Sequence, residues 1–152
     1  MVLAYVGLGA NLGDARAALQ QALRALDQLP QTRCLRVSSF YRTAPWQADG
    51  PDYVNAVAEV QTGLTAPALL QALQGLEAAA GRQRPYHHAP RTLDLDLLRY
   101  GDGRIASATL TVPHPRLQER AFVLVPLAEL LPEQVGAADL ARVADQAIER
   151  LP

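Results

Sequence analysis

The chain is 152 residues long, 49% hydrophobic and 19% charged, which supports one globular domain with a core and excludes a disordered chain. Its net charge of −1 excludes a global attraction to nucleic acid or an anionic membrane. All 14 basic residues are arginine, which excludes a Walker-type or Schiff-base lysine, and the single cysteine, Cys34, permits no internal disulfide.

Val2 to Leu8 is a short apolar run with β-branched and aromatic members and reads as a buried first strand. Gly9-Ala10-Asn11-Leu12-Gly13-Asp14 is a turn, with Gly13 one place late for a dinucleotide fingerprint. Asp14 is placed to cap a helix. Behind it Ala18, Leu19, Ala22, Leu23, Leu26 and Leu29 recur at helical spacing until Pro30. Cys34 to Tyr41 reads as a second strand. Residues 42–51 form a loop by their proline and glycine content and hold the only tryptophan, Trp46. Asp52 to Val60 is a third strand, with Tyr53, Asn55, Val57 and Glu59 on one face and Val54, Ala56, Ala58 and Val60 on the other. Tyr53 beside Asn55 suits a flat heterocycle, and equally suits an ordinary exposed sheet face.

Thr65 caps a second helix with Pro67 in its first turn. Leu69, Leu70, Leu73, Leu76 and Ala80 form its buried stripe, and Gly81 ends it. Glu77, near the C-terminal end, opposes the helix macrodipole, so a specific partner is expected. The following loop carries Arg82, Arg84 and Arg91 with His87 and His88, the concentrated positive charge of the chain. Adjacent histidines on an extended chain point apart and do not readily share one metal, so they read first as polar loop residues.

In Leu93-Asp94-Leu95-Asp96-Leu97 the leucines alternate with carboxylates at the period of a strand. The leucines then face a core, and Asp94 and Asp96 stand side by side on the other face. Two readings are open: a solvated outer face, or a pair of like charges reconciled by a cation, for which a divalent metal sharing phosphate oxygens is the simplest candidate. Strands are depleted in Asp, which favours the second. After a turn at Tyr100-Gly101-Asp102-Gly103, Ile105 begins a short return strand. Leu110 to Pro115 is extended, Pro115 to Glu119 is compatible with one helical turn, Arg120 to Leu127 is an apolar run, and Ala137 to Leu151 reads as an amphipathic terminal helix.

The order β-α-β-β-α-β predicts an α+β fold, a ferredoxin-like βαββαβ sandwich with an additional hairpin strand and a C-terminal helix. One sheet face would meet the helices. The other would stay open and carry Tyr53, Asn55, Asp94 and Asp96. Carboxylates beside clustered arginines are the composition of a metal–polyphosphate site, where catalysis is positioning plus electrostatics.

Pro90-Arg91-Thr92-Leu93-Asp94-Leu95-Asp96 resembles the signature of the 6-hydroxymethyl-7,8-dihydropterin pyrophosphokinases of folate biosynthesis. Gly9 to Gly13, Ser38 to Thr43, Asp52 to Val57, Leu110 to His114 and Arg120-Ala121-Phe122 also resemble that family's motifs, so the resemblance covers nearly the whole chain as one pyrophosphokinase domain, residues 1–152. It implies a magnesium-dependent transfer of pyrophosphate from ATP, the co-substrate, to the pterin hydroxymethyl group, with AMP leaving. Asp94 and Asp96 would be the ligands of two Mg²⁺ ions. Tyr53 and Phe122 would sandwich the pterin, and Asn55, with Thr43 and Trp46, would read its edge. Glu77, His114 and Arg120 match the ATP side. Arg82, Arg84 and Arg91 match a loop that closes over the phosphates and takes part in catalysis. Two departures stand out: His87-His88 occupy the region of a family tryptophan, and Pro115 replaces a family tyrosine.

The rival readings are a metal-dependent phosphohydrolase and a non-catalytic ferredoxin-like ligand-binding module. A nucleic-acid partner is disfavoured by charge. With no signal peptide and no run long enough to span a membrane, a cytoplasmic protein is expected, with small-molecule substrates and neighbouring folate-pathway enzymes as possible partners.

Overall fold

The computed structural model describes residues 1–45, 50–81 and 93–152. Its elements are strands β1 (Val2–Ala10), β2 (Thr32–Val37), β3 (Tyr41–Thr43), β4 (Tyr53–Thr62), β5 (Asp94–Tyr100), β6 (Ile105–Ala106), β7 (Thr111–Val112) and β8 (Glu149–Arg150). The helices are α1 (Ala15–Asp27), α2 (Ala66–Gly81), α3 (Ala121–Leu130) and α4 (Ala137–Arg142), with a 3-10 turn at Leu117–Glu119. The main sheet is antiparallel, in the order β5-β1-β4-β3-β8, with β2 also paired to β4. The fold is therefore mixed α/β on an antiparallel sheet.

The helix starts follow their sequence signals. Gly13 turns the chain at φ +61°, a left-handed conformation that glycine adopts without a Cβ clash. Asp14 then caps α1, its Oδ1 accepting from the Ala17 N–H at 3.1 Å. Thr65 caps α2 through Oγ1, which accepts from the Ala68 N–H at 3.2 Å. Leu19, Ala22 and Leu26 of α1 and Leu69 and Leu73 of α2 bury against Ala4, Val6, Leu8, Ala56, Ala58, Val60, Leu93, Leu95 and Leu97. The alternating leucines of β5 thus face this core, as their spacing predicts. Ala80, expected on the buried stripe of α2, is exposed.

Several expectations are corrected. The strand expected over Cys34 to Tyr41 is two strands, broken at Ser38-Ser39-Phe40. The Ser38 N–H donates to the Val57 carbonyl at 2.9 Å and the Val57 N–H donates to Ser38 Oγ at 2.9 Å, so a hydroxyl takes over one rung of the ladder. The second sheet face is not open throughout. The apolar run after Arg120 is helix α3, and Val123, Leu124, Leu127 and Leu130 cover Tyr5, Val57 and Leu98. The expected terminal helix ends at Arg142, and the chain returns as β8 to pair with the outer edge of β3. That return satisfies an exposed strand edge. Ile105 does begin a strand, but β6 pairs with β7 in a separate hairpin and not with β5.

Candidate functional site

The part of the second face that α3 leaves open carries polar groups in register. Gly9 of β1 lies opposite Asn55 on one side and Asp94 on the other, and Gly7 lies opposite Asp96. Directly opposed residues in antiparallel strands share a face. Tyr53, Asn55, Asp94 and Asp96 therefore stand on one surface. Gly9 makes the approach close: a Cβ built there would fall 2.9 Å from Asn55 Oδ1 and 3.5 Å from Tyr53 Cδ2. Asn55 and Tyr53 lean across β1 over the glycine, towards Asp94.

Asn55 is buried, and its Nδ2 donates to Thr43 Oγ1 at 2.7 Å, an interaction that fixes the plane of the amide and turns Oδ1 towards Gly9. Thr43 sits opposite Tyr53 in the β3–β4 pairing. Buried Asn11 donates from Nδ2 to the Pro51 carbonyl at 3.1 Å and ties the first turn to the segment leading into Tyr53.

Glu77 has the specific partner its position in α2 demanded. Its Oε2 accepts from the Leu95 N–H at 2.8 Å, joining the C-terminal end of α2 to β5 between the two aspartates. This bond offsets the unfavourable macrodipole position.

The remaining wall comes from the segment His114 to Phe122. The His114 N–H donates to the Leu98 carbonyl at 2.9 Å, and its Nδ1 accepts from the Arg116 N–H at 3.2 Å. Burial, then the charges of Arg120 and Arg116, push the His114 pKa below its ordinary value, with Asp94 opposing. The shift favours the neutral ring at pH 7. With Nδ1 accepting, its proton lies on Nε2, which is a donor. Arg120 precedes α3, and its guanidinium lies 5.3 Å from the centroid of the Phe122 ring. Burial lowers its pKa, while Asp96 and Asp94 act to raise it, which sets all three groups within one another's field. Arg120 Nε is buried with no hydrogen-bond partner among the described residues.

Gln146 steadies this wall and was not foreseen. Its Oε1 accepts from the Ala121 N–H at 2.8 Å and its Nε2 donates to the Glu119 carbonyl at 2.8 Å, so a C-terminal residue caps α3 from outside. Its only sequence signal was an amide in a segment that reads as helix.

The chain matches the family model for 7,8-dihydro-6-hydroxymethylpterin-pyrophosphokinase over residues 5–132. It belongs to this family. A relative from Pseudomonas aeruginosa, named 2-amino-4-hydroxy-6-hydroxymethyldihydropteridine pyrophosphokinase, is 44% identical over 156 residues, 97% of this chain and 96% of the relative. A Haemophilus influenzae protein of the same name is 44% identical over 136 residues, 89% of this chain and 85% of its own. Among solved structures, an HPPK-DHPS in complex with substrates superposes with a TM-score of 0.71 at 11% identity, over 87% of this chain and 40% of that one. The Plasmodium falciparum HPPK-DHPS gives 0.68 at 14%, over 88% and 40%. At that identity these two speak to the fold alone, and the chain spans about two fifths of their length.

Of the residues that the pyrophosphokinase motifs singled out, Thr43, Tyr53, Asn55, Asp94 and Asp96 lie together on or beside one sheet face, with His114 and Arg120 in the field of the aspartates and Phe122 against Arg120. Glu77 joins them through the β5 backbone. Trp46, Arg82, Arg84, Arg91, His87 and His88 lie outside the described residues. Among the described residues no cluster of three or more His, Cys, Asp or Glu could hold a metal by itself. Two carboxylates on alternate strand positions still fit a hard cation whose other ligands are phosphate oxygens and water.

Proposed function

We propose that this chain transfers the pyrophosphoryl group of ATP to 6-hydroxymethyl-7,8-dihydropterin, in folate biosynthesis. The pterin hydroxymethyl oxygen forms a bond to the β-phosphorus, the bond from that phosphorus to the α-bridging oxygen breaks, AMP leaves, and the hydroxyl proton is released. One observation carries the reading: a carboxylate pair suited to a polyphosphate-bound cation shares a sheet face, across the glycines of β1, with a fixed amide and a tyrosine suited to a flat heterocycle.

Asp94 and Asp96 would hold Mg²⁺, two ions by the family resemblance. When bound, the metal neutralises the polyphosphate and orients it. The chain's own groups do the rest. Tyr53 and Phe122 stack on the pterin, and Asn55 Oδ1, with Thr43 and Trp46, reads its hydrogen-bonding edge. Neutral His114 donates from Nε2 to a phosphate oxygen, Arg120 pairs with phosphate, and Glu77 serves the ATP side by fixing β5. Arg82, Arg84 and Arg91 neutralise charge on the transferring and leaving groups and help exclude water.

The whole of residues 1–152 is read as one such domain, ferredoxin-like in arrangement, with an extra edge strand. None of the described helices is long and apolar enough to cross a membrane; a cytoplasmic site of action is proposed on the family resemblance. Neighbouring folate enzymes are proposed partners, on the family resemblance.

The test is AMP formation from MgATP with and without the pterin. AMP appearing only with the pterin, in step with its loss, supports the transfer. ADP or phosphate release indifferent to the pterin replaces it with the hydrolase reading. Asn55→Ala should weaken pterin binding and leave ATP binding intact; the reverse pattern refutes the placing of the two subsites.

A further inference from the structure

The turn between His114 and Arg120 carries a cation that the family motifs leave without a role. Arg116 is held by its backbone: its N–H donates to His114 Nδ1 at 3.2 Å and its carbonyl accepts from the Glu119 N–H at 3.1 Å. The turn is anchored at both ends, by the His114 N–H on Leu98 and by Gln146 on Ala121 and Glu119. The Arg116 side chain is exposed and makes no ion pair among the described residues. Its charge bears on both His114 and Arg120. Asp94, Asp96 and Glu119 are the acids that act on Arg120 in the same cluster.

Two guanidiniums held on one short turn repel each other, and the cost rises where one is desolvated. Arg120 is the desolvated one, with its Nε buried and unpartnered among the described residues. A multiply charged anion between the turn and the aspartate strand relieves both the repulsion and the missing hydrogen bond. We infer that Arg116 is a further phosphate-binding residue of the nucleotide site, acting with Arg120 and the Nε2 donor of His114 on the ATP polyphosphate. The inference rests on the proposed reaction for the identity of the anion, but the recognition chemistry is that of polyphosphate itself.

The experiment compares the wild type with Arg116→Gln and Arg116→Lys. Calorimetric titration with a non-hydrolysable MgATP analogue and with inorganic tripolyphosphate gives the anion affinities; a parallel titration gives that of the pterin. Arg116→Gln should bind both polyphosphates roughly tenfold or more weakly, the worth of one hydrogen bond to a charged group, with pterin affinity and Tm unchanged. Arg116→Lys should recover part of the loss, since it restores the charge without the fork. Unchanged polyphosphate affinity in Arg116→Gln overturns the inference. So does a parallel loss of pterin affinity and Tm, which marks a structural role. If the wild type makes no AMP with the pterin, the proposed reaction falls, and tripolyphosphate binding still decides the role of Arg116.

Discussion

Glu59 and the Asp94–Asp96 pair stand on the same face of the same sheet and meet opposite surroundings. Glu59 lies under α3, 5% exposed, with its donors supplied by the fold. Arg36 donates from Nε at 3.0 Å and from Nη2 at 2.8 Å, and Tyr5 donates its hydroxyl at 2.5 Å. The same Arg36 Nη2 reaches the Leu130 carbonyl at 2.9 Å, at the negative end of α3. Asp94 and Asp96 lie beyond the cover of α3, half-buried, opposite two glycines and facing a wall of cations anchored on a separate segment. The first arrangement closes on itself and docks a helix. The second gathers opposite charges from different elements on the part of the face that α3 leaves open. Under the proposed function, the acid that the fold covers is structural and the pair left on the open part of the face serves the ligand.

The contrast is broken or sharpened first by Asp96→Ala. If the pair serves a polyphosphate-bound cation, turnover should fall by at least ~10²-fold, the scale of losing one preorganised electrostatic contact. Removing one of two like charges relieves their repulsion but takes a counter-charge from Arg120, so Tm should change far less than in a core substitution. AMP formation and a thermal melt on the same preparation check both. Near-normal turnover, or a melt lowered as by a core substitution, would make the pair structural.

That the aspartates can be singled out from sequence at all follows from strand geometry. A strict period of two puts Leu93, Leu95 and Leu97 in the core and so commits Asp94 and Asp96 to the other face. Glu77 was legible for a similar reason, because a carboxylate at a helix C-terminus is unfavourable alone, and Leu95 supplies the N–H it needed. What sequence hid was set by contacts between distant segments. The run from Ala121 to Leu130 is apolar on nearly every side, Phe122, Val125 and Ala128 included, and carries Pro126 inside the helix, so it shows no amphipathic stripe. The break at Ser38 depends on a hydroxyl replacing a carbonyl opposite Val57. The residues after Arg142 carry a helical pattern but are drawn to an unpaired edge at β3. Gln146 matters through partners that only the folded chain brings near.

The structural half of the comparison is tested by Glu59→Ala. The substitution leaves the buried Tyr5 hydroxyl without its acceptor and takes from Arg36 the carboxylate that orients it towards the Leu130 carbonyl. A loss of about 2 kcal/mol is expected, or about 4–8 °C in Tm for a chain of this size, with far less loss of turnover than in Asp96→Ala. The pH profile adds a second readout. Arg36, opposed by burial and helped by Tyr5, holds Glu59 below the ordinary carboxylate value of 4.5. A depressed folded pKa stabilises above the unfolded value and is lost as pH falls through the folded one. Wild-type stability should therefore drop below about pH 4.5 more steeply than that of Glu59→Ala. At the other end, burial and the Glu59 carboxylate push Tyr5 up to about 12 from 10.0. A raised pKa stabilises below the unfolded value, so that contribution should disappear as pH rises from about 10 through about 12. Equal acid slopes in the two proteins would remove Glu59 from the account of stability.

The smallest expected effect tests the functional half without touching a charge. In Gly9→Ala the new Cβ would lie 2.9 Å from Asn55 Oδ1. Asn55 has a short side chain, buried and tied at Nδ2 to Thr43, so it cannot swing aside without breaking that bond. The amide must rotate, or β1 and β4 must part locally. Pterin affinity should fall roughly tenfold, the worth of one or two misaligned hydrogen bonds, while polyphosphate affinity is unchanged. Gly7→Ala is the control on the same strand and the same face. Its Cβ would meet the Leu98 side chain at 3.4 Å, close to ordinary contact with a group that can adjust. Pterin titrations of the two variants should therefore differ although each adds one methyl group to β1. Equal losses would mean that backbone strain in β1 is being measured, and no loss in Gly9→Ala would mean that the Asn55 amide does not read the pterin edge.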